Sequence, residues 1–325
     1  MTPADDATPD VLGPGWTSRT LRLAPDHEGE VVATLVHRDD DAATHRPARG
    51  AVLYVHGYVD YFFQRHLGDA WAAHGFSFYA LDLRKYGRSL RPWQTANDVT
   101  DLRTYVEELD AAASVIREQD GHDTLVVLGH STGGLLAALW AHAHRGRGTV
   151  DALVLNSPWF DLNRDWIYRV VVTRAVDVVG RVQPDRVVGA VGVHYGQSLH
   201  VDTGGAWEYD LAWKPHEGFP VRAGWLRAVR RGHARVARGL DIDCPVLLCC
   251  AERSGPFDRW HPDLATTDSV LDVEQMVARA PGLGRDVTVV RIPDGVHDLA
   301  LSAPGPRQRY FDEMLTWADQ QLPVS

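Results

Sequence analysis

The stretch Gly129-His130-Ser131-Thr132-Gly133 decides the fold of this chain. It follows an apolar run, Thr124-Leu-Val-Val-Leu128, and precedes Gly134-Leu-Leu-Ala-Ala-Leu-Trp140, which has helical spacing. The pattern G-x-S-x-G between a strand and a helix is typical of a nucleophile elbow, a sharp turn that holds a serine hydroxyl above the end of a sheet. Glycines flank the serine because side chains there would collide with the neighbouring strand and helix. We therefore interpret Ser131 as a candidate nucleophile; the alternative is a glycine-rich turn with a structural role alone.

A partner histidine should follow the last strand of such a fold, after the acid in chain order. The run Val287-Thr-Val-Val-Arg-Ile292 predicts that strand, and Pro293-Asp-Gly-Val-His297-Asp298 is the turn-rich loop after it. Since the chain has 16 histidines, position rather than residue type singles out His297. We predict that His297 is the base that activates Ser131.

Two backbone amides are expected to stabilise the developing negative charge. The predicted strand Ala51-Val-Leu-Tyr-Val55 ends in His56-Gly57, and a glycine there lets the backbone turn so that the next N–H points at the serine. The second donor is the N–H of the residue after the nucleophile. This reasoning predicts an oxyanion hole formed by the amides of Tyr58 and Thr132.

Composition narrows the class of protein. The 325 residues are 45% hydrophobic and 23% charged, as in ordinary soluble globular proteins, and the formal charge of −10 disfavours a nucleic-acid partner. No apolar run is long enough for a membrane-spanning helix, and the acidic N-terminus lacks the features of a signal peptide. Cys244, Cys249 and Cys250 lie in or beside one predicted strand and suit reduced packing residues better than metal ligands. These features favour a cytoplasmic location.

Hydrophobic periodicity predicts alternating strands and helices. Two early strands without a helix between them, followed by alternation, indicate a mostly parallel sheet with an antiparallel N-terminal edge. Residues 1–15 are predicted to be a flexible lead-in. The predicted strands are 16–23, 30–37, 51–55, 76–82, 124–128, 152–156, 245–250 and 287–292. The predicted helices are 61–74, 98–119, 131–145, 271–280 and 307–322.

One connection, from Ser157 to Asp243, is far longer than a crossover between neighbouring strands needs, which predicts an inserted cap. Its aromatic residues either pack its underside or line an apolar substrate slot. Within it, Trp225–Leu240 predicts a solvated amphipathic helix, with binding to an anionic surface as the alternative. The aromatic cap residues are Trp159, Trp166, Trp207, Trp213, Trp225, Tyr168, Tyr195 and Tyr209. The predicted organisation is 1–15 lead-in, 16–157 core, 158–240 cap and 241–325 core.

Four motifs together resemble the α/β-hydrolase superfamily. They are His56-Gly57, Asp82-Leu-Arg-Lys-Tyr-Gly87-Arg-Ser89, Gly129-His-Ser131-Thr-Gly133-Gly134 and Gly295-Val-His297, and they look most like the monoglyceride lipase, lysophospholipase and serine-aminopeptidase-like branch. The resemblance covers roughly residues 45–157 and 240–322. It implies an α/β-hydrolase fold, with a mostly parallel eight-stranded sheet, helices on both faces and an inserted cap. It also implies a serine hydrolase acting on carboxylic esters without a metal or organic cofactor, but leaves the substrate open.

The acid departs from the pattern that this resemblance implies. The family acid follows the seventh strand in a motif like Gly-x-x-Asp-x-Val-Val-x-x-Glu, whereas here Pro245–Ala251 continues as Glu252-Arg253-Ser254. The stretch Thr267-Asp268-Ser-Val-Leu-Asp-Val-Glu274 restores the register, as if Ser254 to Thr267 were an insertion. We therefore predict Asp268 as the acid. The alternatives are Asp258, Asp263 and Asp161.

These residues predict a serine esterase of the lipase-like type. Ser131 would attack the ester, His297 would move the proton, and Asp268 would orient the imidazole. The aromatic loop Tyr58–Phe63 and the Trp-rich cap favour an apolar acyl or aromatic ester as the small-molecule substrate. An amidase or peptidase, a lactonase, a carbon–carbon hydrolase, an acyltransferase and a non-catalytic binding protein remain alternatives. Peripheral membrane contact is not expected, and the oligomeric state stays open.

Overall fold

A mostly parallel sheet carries the candidate site. The structure, a computed structural model, describes residues 6–39, 49–163 and 175–322. The sheet has nine strands in the order β1-β2-β3-β5-β4-β6-β7-β10-β11, antiparallel from β1 to β5 and parallel from β5 to β11. The strands are β1 (Thr8–Pro9), β2 (Trp16–Asp26), β3 (Gly29–Arg38), β4 (Ala51–Val55), β5 (Ser77–Asp82), β6 (Leu125–His130), β7 (Ala152–Asn156), β8 (Val187–Gly189), β9 (Val221–Arg222), β10 (Val246–Ala251) and β11 (Val287–Ile292).

The predicted mostly parallel sheet with an antiparallel edge is confirmed, but the number of strands was wrong by one. The ninth strand, β1, lies in the predicted lead-in and pairs with β2 through Thr8 and Pro9. Both residues are exposed and show no apolar alternation, so hydrophobic periodicity could not reveal them. Next to β1, the buried Asp10 accepts a hydrogen bond from Arg88 Nε at 2.7 Å. Part of the lead-in is therefore ordered against the core.

Helices cover both faces of the sheet. Successive side chains of β4 point to opposite faces of the sheet, and all of them are buried. Val52 and Tyr54 pack into one apolar cluster, and Leu53 and Val55 pack into the other. The described helices include α1 (Arg65–Ala73), α2 (Val106–Ser114), α3 (Thr132–Ala143), α4 (residues 175–182), α5 (Val193–Leu199), α6 (Ala223–Ala237), α7 (Val273–Arg279) and α8 (Pro304–Gln321). None of the helices in the described ranges is both long and apolar enough to cross a bilayer.

The segment between β7 and β10, which we call the cap (residues 158–240), contributes α4, α5, α6 and the small antiparallel pair β8–β9. The apolar side of α6 packs on the core, where Gly232 lies against Leu102 and Leu135. Its arginine side pairs with acidic neighbours, for example Arg227 Nε with Asp177 at 2.9 Å. Helix α6 is therefore an amphipathic helix packed on the core. Of the predicted aromatic residues of the cap, Trp166 and Tyr168 lie outside the described residues.

Candidate active site

Ser131 occupies a strained turn between the end of β6 and the start of α3. Its backbone angles are φ 53° and ψ −117°, a conformation that few non-glycine residues adopt and that clusters at functional sites. The turn is tied to the next strand because Ser131 N–H donates to Asn156 O at 3.0 Å. A side chain on Gly133 would run into the backbone of Val55 and His56, which explains why the elbow needs a glycine there.

The structure brings Ser131, His297 and Asp268 together. His297 Nε2 lies 3.0 Å from Ser131 Oγ, and His297 Nδ1 lies 2.8 Å from Asp268 Oδ2. All three side chains are buried, with exposures of 8% for Ser131, 4% for His297 and 0% for Asp268. With the Nδ1 hydrogen donated to the carboxylate, Nε2 is left free to accept the serine proton. The arrangement can therefore deprotonate the serine hydroxyl from a buried position at the base of a cavity.

Asp268 reaches His297 through a detour of the chain. After β10 the backbone leaves the sheet at Ser254 and returns beside it, where Ser254 and Asp268 form an isolated parallel bridge. Gly255 N–H donates to Asp268 O at 2.8 Å, which closes the detour. The second carboxylate oxygen, Oδ1, accepts from the amides of Val270 and Leu271 at 2.9 and 2.8 Å. Because these amides bind Oδ1 and fix the carboxylate, Oδ2 points at the imidazole.

The alternative acids lie elsewhere. Asp161 is held by two arginines, with Arg230 Nη1 at 2.6 Å and Arg279 Nη2 at 3.3 Å. Asp258 and Asp263 are both exposed to solvent. The geometry around His297 therefore points to Asp268 among the four aspartates considered.

The loop after β4, which we call the oxyanion loop (residues 56–60), approaches Ser131 closely. A Cβ on Gly57 would lie 3.1 Å from Ser131 Cβ, so the loop would have to move away if this residue were larger. His56 Nε2 accepts from Leu83 N–H at 3.1 Å, and its Nδ1 donates to Gly57 O at 2.7 Å. Burial lowers the pKa of His56, which keeps the ring neutral in this role. Val59 has φ 51°, a rare value for a β-branched residue.

A cavity of about 360 Å³ surrounds the serine hydroxyl and is lined by Tyr58 and Thr132, the two predicted oxyanion-hole residues. One wall is aromatic: the Tyr58 and Trp225 rings stack with centroids 3.9 Å apart, and Trp159 lies 5.8 Å from Trp225. The cap thus provides part of the cavity wall.

Two other cap tryptophans do packing instead. Trp207 stacks on His66 with centroids 4.6 Å apart, and its Nε1 donates to Leu301 O at 2.8 Å. Trp213 packs edge-on against Tyr61 at 5.0 Å. The two roles expected for the aromatic cap residues are therefore divided among individual residues.

The cavity lining also includes polar groups, from Tyr195, Lys214 and Asp60, whose contacts the sequence analysis did not predict. Tyr195 Oη accepts from the backbone N–H of Asp298 at 2.9 Å, so helix α5 contacts the loop that carries His297. Burial alone would raise the pKa of Asp298, but His130 and the amides of Gln64 and Asn156 outweigh burial and lower it. Tyr195 was visible only as one of several cap aromatics, because nothing in the local sequence shows which strand end it faces.

Lys214 and Asp60 line the same cavity, and Lys214 Nζ lies 2.6 Å from Asp60 Oδ1. They are 154 residues apart in the chain, so no local motif could have paired them.

A strained serine at the carboxyl end of a parallel strand, with a buried histidine and carboxylate beside it, defines an α/β-hydrolase. The chain belongs to the family described as serine aminopeptidase, S33 (Hydrolase_4), whose model matches residues 46–301. It is thus a member of a hydrolase family with the α/β-hydrolase fold.

Individual proteins of known identity are similar to this chain. A monoacylglycerol lipase from Mycolicibacterium smegmatis is 32% identical over 139 residues, an alignment that covers 42% of this chain and 46% of that protein. The crystal structure of a monoglyceride lipase from Saccharomyces cerevisiae has a TM-score of 0.66 at 16% identity, covering 92% of this chain and 94% of the other. A thermostable carboxyl esterase from Bacillus coagulans also has a TM-score of 0.66 at 15% identity, covering 94% and 99%. The two structural likenesses concern the fold alone.

Proposed function

We propose that this protein hydrolyses carboxylic esters through Ser131, His297 and Asp268. The observation that carries the proposal is the continuous pair of hydrogen bonds from the Ser131 hydroxyl through the imidazole to the buried carboxylate, at 3.0 and 2.8 Å. As Ser131 Oγ bonds to the ester carbonyl carbon, its proton passes to His297 Nε2. The carbonyl oxygen becomes an oxyanion that accepts from the amides of Tyr58 and Thr132.

Collapse of that intermediate breaks the carbon–oxygen bond to the alcohol, which leaves with the proton returned by His297. The acyl group is then bonded to Ser131. A water molecule gives a proton to His297 and attacks the acyl carbon, and the second collapse releases the acid and restores the serine hydroxyl. Throughout, Asp268 holds the imidazole in the tautomer with hydrogen on Nδ1.

The aromatic wall favours an apolar acyl chain or an aromatic group in the substrate. Tyr58, Trp159 and Trp225 provide apolar surface in the cavity that holds the nucleophile. Covering such surface with an apolar substrate group removes both from water, which favours binding. A cavity of about 360 Å³ suits a small-molecule ester. Because one relative is named a monoacylglycerol lipase and one structurally similar protein a monoglyceride lipase, we include monoacylglycerols among the esters proposed.

Amide or peptide hydrolysis by the same three residues is the second candidate, because the family is named after a serine aminopeptidase. An exopeptidase that recognises a free amino group needs an available carboxylate. Among the described residues that line the cavity, the acidic side chain is Asp60, which Lys214 already neutralises. We therefore rank esters above peptides.

The setting of the activity is proposed on other grounds. The three cysteines are free and buried, which suits the reducing cytoplasm proposed from the sequence. The cap, residues 158–240, is proposed as an insertion that completes the cavity, because Tyr195, Lys214 and Trp225 all come from it.

The decisive experiment compares wild type with Ser131→Ala on a panel of p-nitrophenyl esters, anilides and lactones. We expect esters to be the best substrates and Ser131→Ala to lose roughly a million-fold in kcat, the usual loss for a triad nucleophile. The variant should also lose labelling by a fluorophosphonate probe. Ser114→Ala, on helix α2, is the matched control. Substantial ester turnover by purified Ser131→Ala would rule out the proposed function.

A further inference from the structure

One ion pair joins the cap to the oxyanion loop inside the cavity. Lys214 Nζ lies 2.6 Å from Asp60 Oδ1, and their side chains are 15% and 3% exposed. The chain contains only two lysines among its 33 Lys and Arg residues, Lys85 and Lys214. Lys214 and Asp60 both line the cavity that holds Ser131. The pair is therefore a charge contact between the cap and the core in the cavity that holds the proposed nucleophile.

Asp60 contacts the turn that presents the Tyr58 amide. Its second oxygen, Oδ2, faces the backbone N–H of Gly57 at 3.4 Å, one peptide unit before that amide. Between them, Val59 is held at φ 51°. A buried carboxylate needs a counter-charge, because the Gly57 amide alone does not replace the water that it has lost. Lys214 supplies that charge.

The cap segment that carries Lys214 is seated on the same region. Tyr61 Oη accepts from Asp210 N–H at 2.7 Å, four residues before the lysine. The ammonium also lies 5.6 Å from the Phe63 ring centroid and 5.8 Å from that of Tyr209, within reach of cation–π attraction. The lysine is thus held in place by groups from both the cap and the core.

The negative charge of Asp60 would affect the reaction if Lys214 did not neutralise it. An unpaired Asp60 carboxylate would repel the oxyanion that forms in the same cavity, and repulsion between like charges is stronger for a buried side chain than for one in water. With Lys214 in place the pair is neutral. We propose that Lys214 is a positioning residue of the cap, which acts through Asp60 to keep the oxyanion loop competent. This inference rests on the proposed ester hydrolysis.

The test is a double-mutant cycle with p-nitrophenyl butyrate on the full-length protein. Lys214→Met keeps most of the length of the side chain and removes its charge, and it should lower kcat by roughly 10- to 100-fold, somewhat less than the loss of an oxyanion-hole donor. KM should change little, because the neutral ester carries no charge before the reaction. In the Asp60→Asn background there is no carboxylate to neutralise. There the same lysine substitution should cost about threefold or less.

Arg181→Met is the matched control, because it removes a cap cation that is 63% exposed and paired with Asp177 outside the cavity. An equal loss of kcat from Lys214→Met in both backgrounds would overturn the inference, as would a rise in KM without loss of kcat, since the lysine would then contact the substrate directly. If Lys214→Met alone does not fold, the double variant decides: turnover near that of Asp60→Asn supports the inference, and a hundredfold loss overturns it. A wild-type protein without ester turnover would overturn the proposed function and this inference together, whereas the other outcomes concern Lys214 alone.

Discussion

Backbone amides hold the Asp268 carboxylate in place, independently of its contact with the imidazole. Oδ1 accepts from two successive amides, Val270 and Leu271, and Oδ2 is left for His297. Changing this residue to asparagine keeps its shape but replaces one oxygen by a donor, which favours the wrong imidazole tautomer. We expect Asp268→Asn to lower kcat by roughly four orders of magnitude with a small change in Tm. Steady-state kinetics and thermal unfolding of the same preparation separate the two effects.

The other aspartates provide the control for this prediction. Asp258→Asn and Asp263→Asn change exposed residues and should leave kcat near the wild-type value. Asp161→Asn should lower Tm rather than kcat, because Arg230 and Arg279 lose the charge that they share. If Asp268→Asn turned over normally while one of these three collapsed, the acid would have to be reassigned.

At the scale of single residues, the sequence supports an inference only where a local pattern exists. Asp268 could be chosen because it stands in register with the start of α7, although its position after β10 is shifted by the detour that begins at Ser254. The pairing of Lys214 with Asp60 has no such pattern. It depends on where the cap folds back over the sheet, which involves contacts between residues far apart in the chain.

The division of labour among the cap tryptophans leads to a prediction for the cap as an element. Trp225 lines the cavity and stacks on Tyr58, whereas Trp207 packs on His66 outside the cavity lining. Trp225→Ala should enlarge the cavity and shift the preferred acyl chain length. Trp207→Ala removes as much apolar surface from the cap, so it should lower Tm while the preference stays unchanged. Values of kcat/KM along a series of p-nitrophenyl esters measure the shift; an unchanged profile in Trp225→Ala would assign that residue to packing.

Among the larger elements, buried strands were the easiest to predict. Runs such as Val246–Ala251 are apolar throughout because both faces of the sheet are covered, and such runs are visible in the sequence. The predicted helix 98–119 was less accurate: a tight turn at Leu102–Tyr105 precedes α2, and Asp101 accepts from Arg103 N–H at 3.0 Å to begin it. Asp101 is a local capping signal that the periodicity did not weigh.

Stability of the whole molecule should depend on pH through buried neutral histidines. His233 on α6 accepts from Arg230 Nη1 at 2.9 Å, and burial together with Arg230 lowers the pKa of His233 to about 3. In the unfolded chain the pKa is about 6.5, so the unfolded state binds more protons between these values. The free energy of unfolding therefore falls as the pH drops below about 6.5, by up to about 1.4 kcal/mol per pH unit for this residue. Burial lowers the pKa of His56 and His130 in the same direction.

Replacing His233 removes one of the histidines that bind a proton only when the protein unfolds. Between pH 7 and pH 5, His233→Gln should lose about 2 kcal/mol less stability than wild type, whatever its stability at pH 7. Urea unfolding at several pH values measures the slope. His27→Gln, at an exposed turn position, is the control. An unchanged slope in His233→Gln would mean that the ring is protonated in the folded protein.

The buried free cysteines make the rate of thiol alkylation a measure of unfolding. Cys249 and Cys250 belong to β10, which is hydrogen-bonded between β7 and β11, and Cys244 lies just before that strand. Burial raises the pKa of Cys244 and Cys250 to about 12, so almost no reactive thiolate exists in the native state at neutral pH. An alkylating reagent can reach Cys249 and Cys250 only after the middle of the sheet has come apart. The rate at which such a reagent adds mass to Cys249 and Cys250 would therefore report how often the middle of the sheet opens, without any engineered probe.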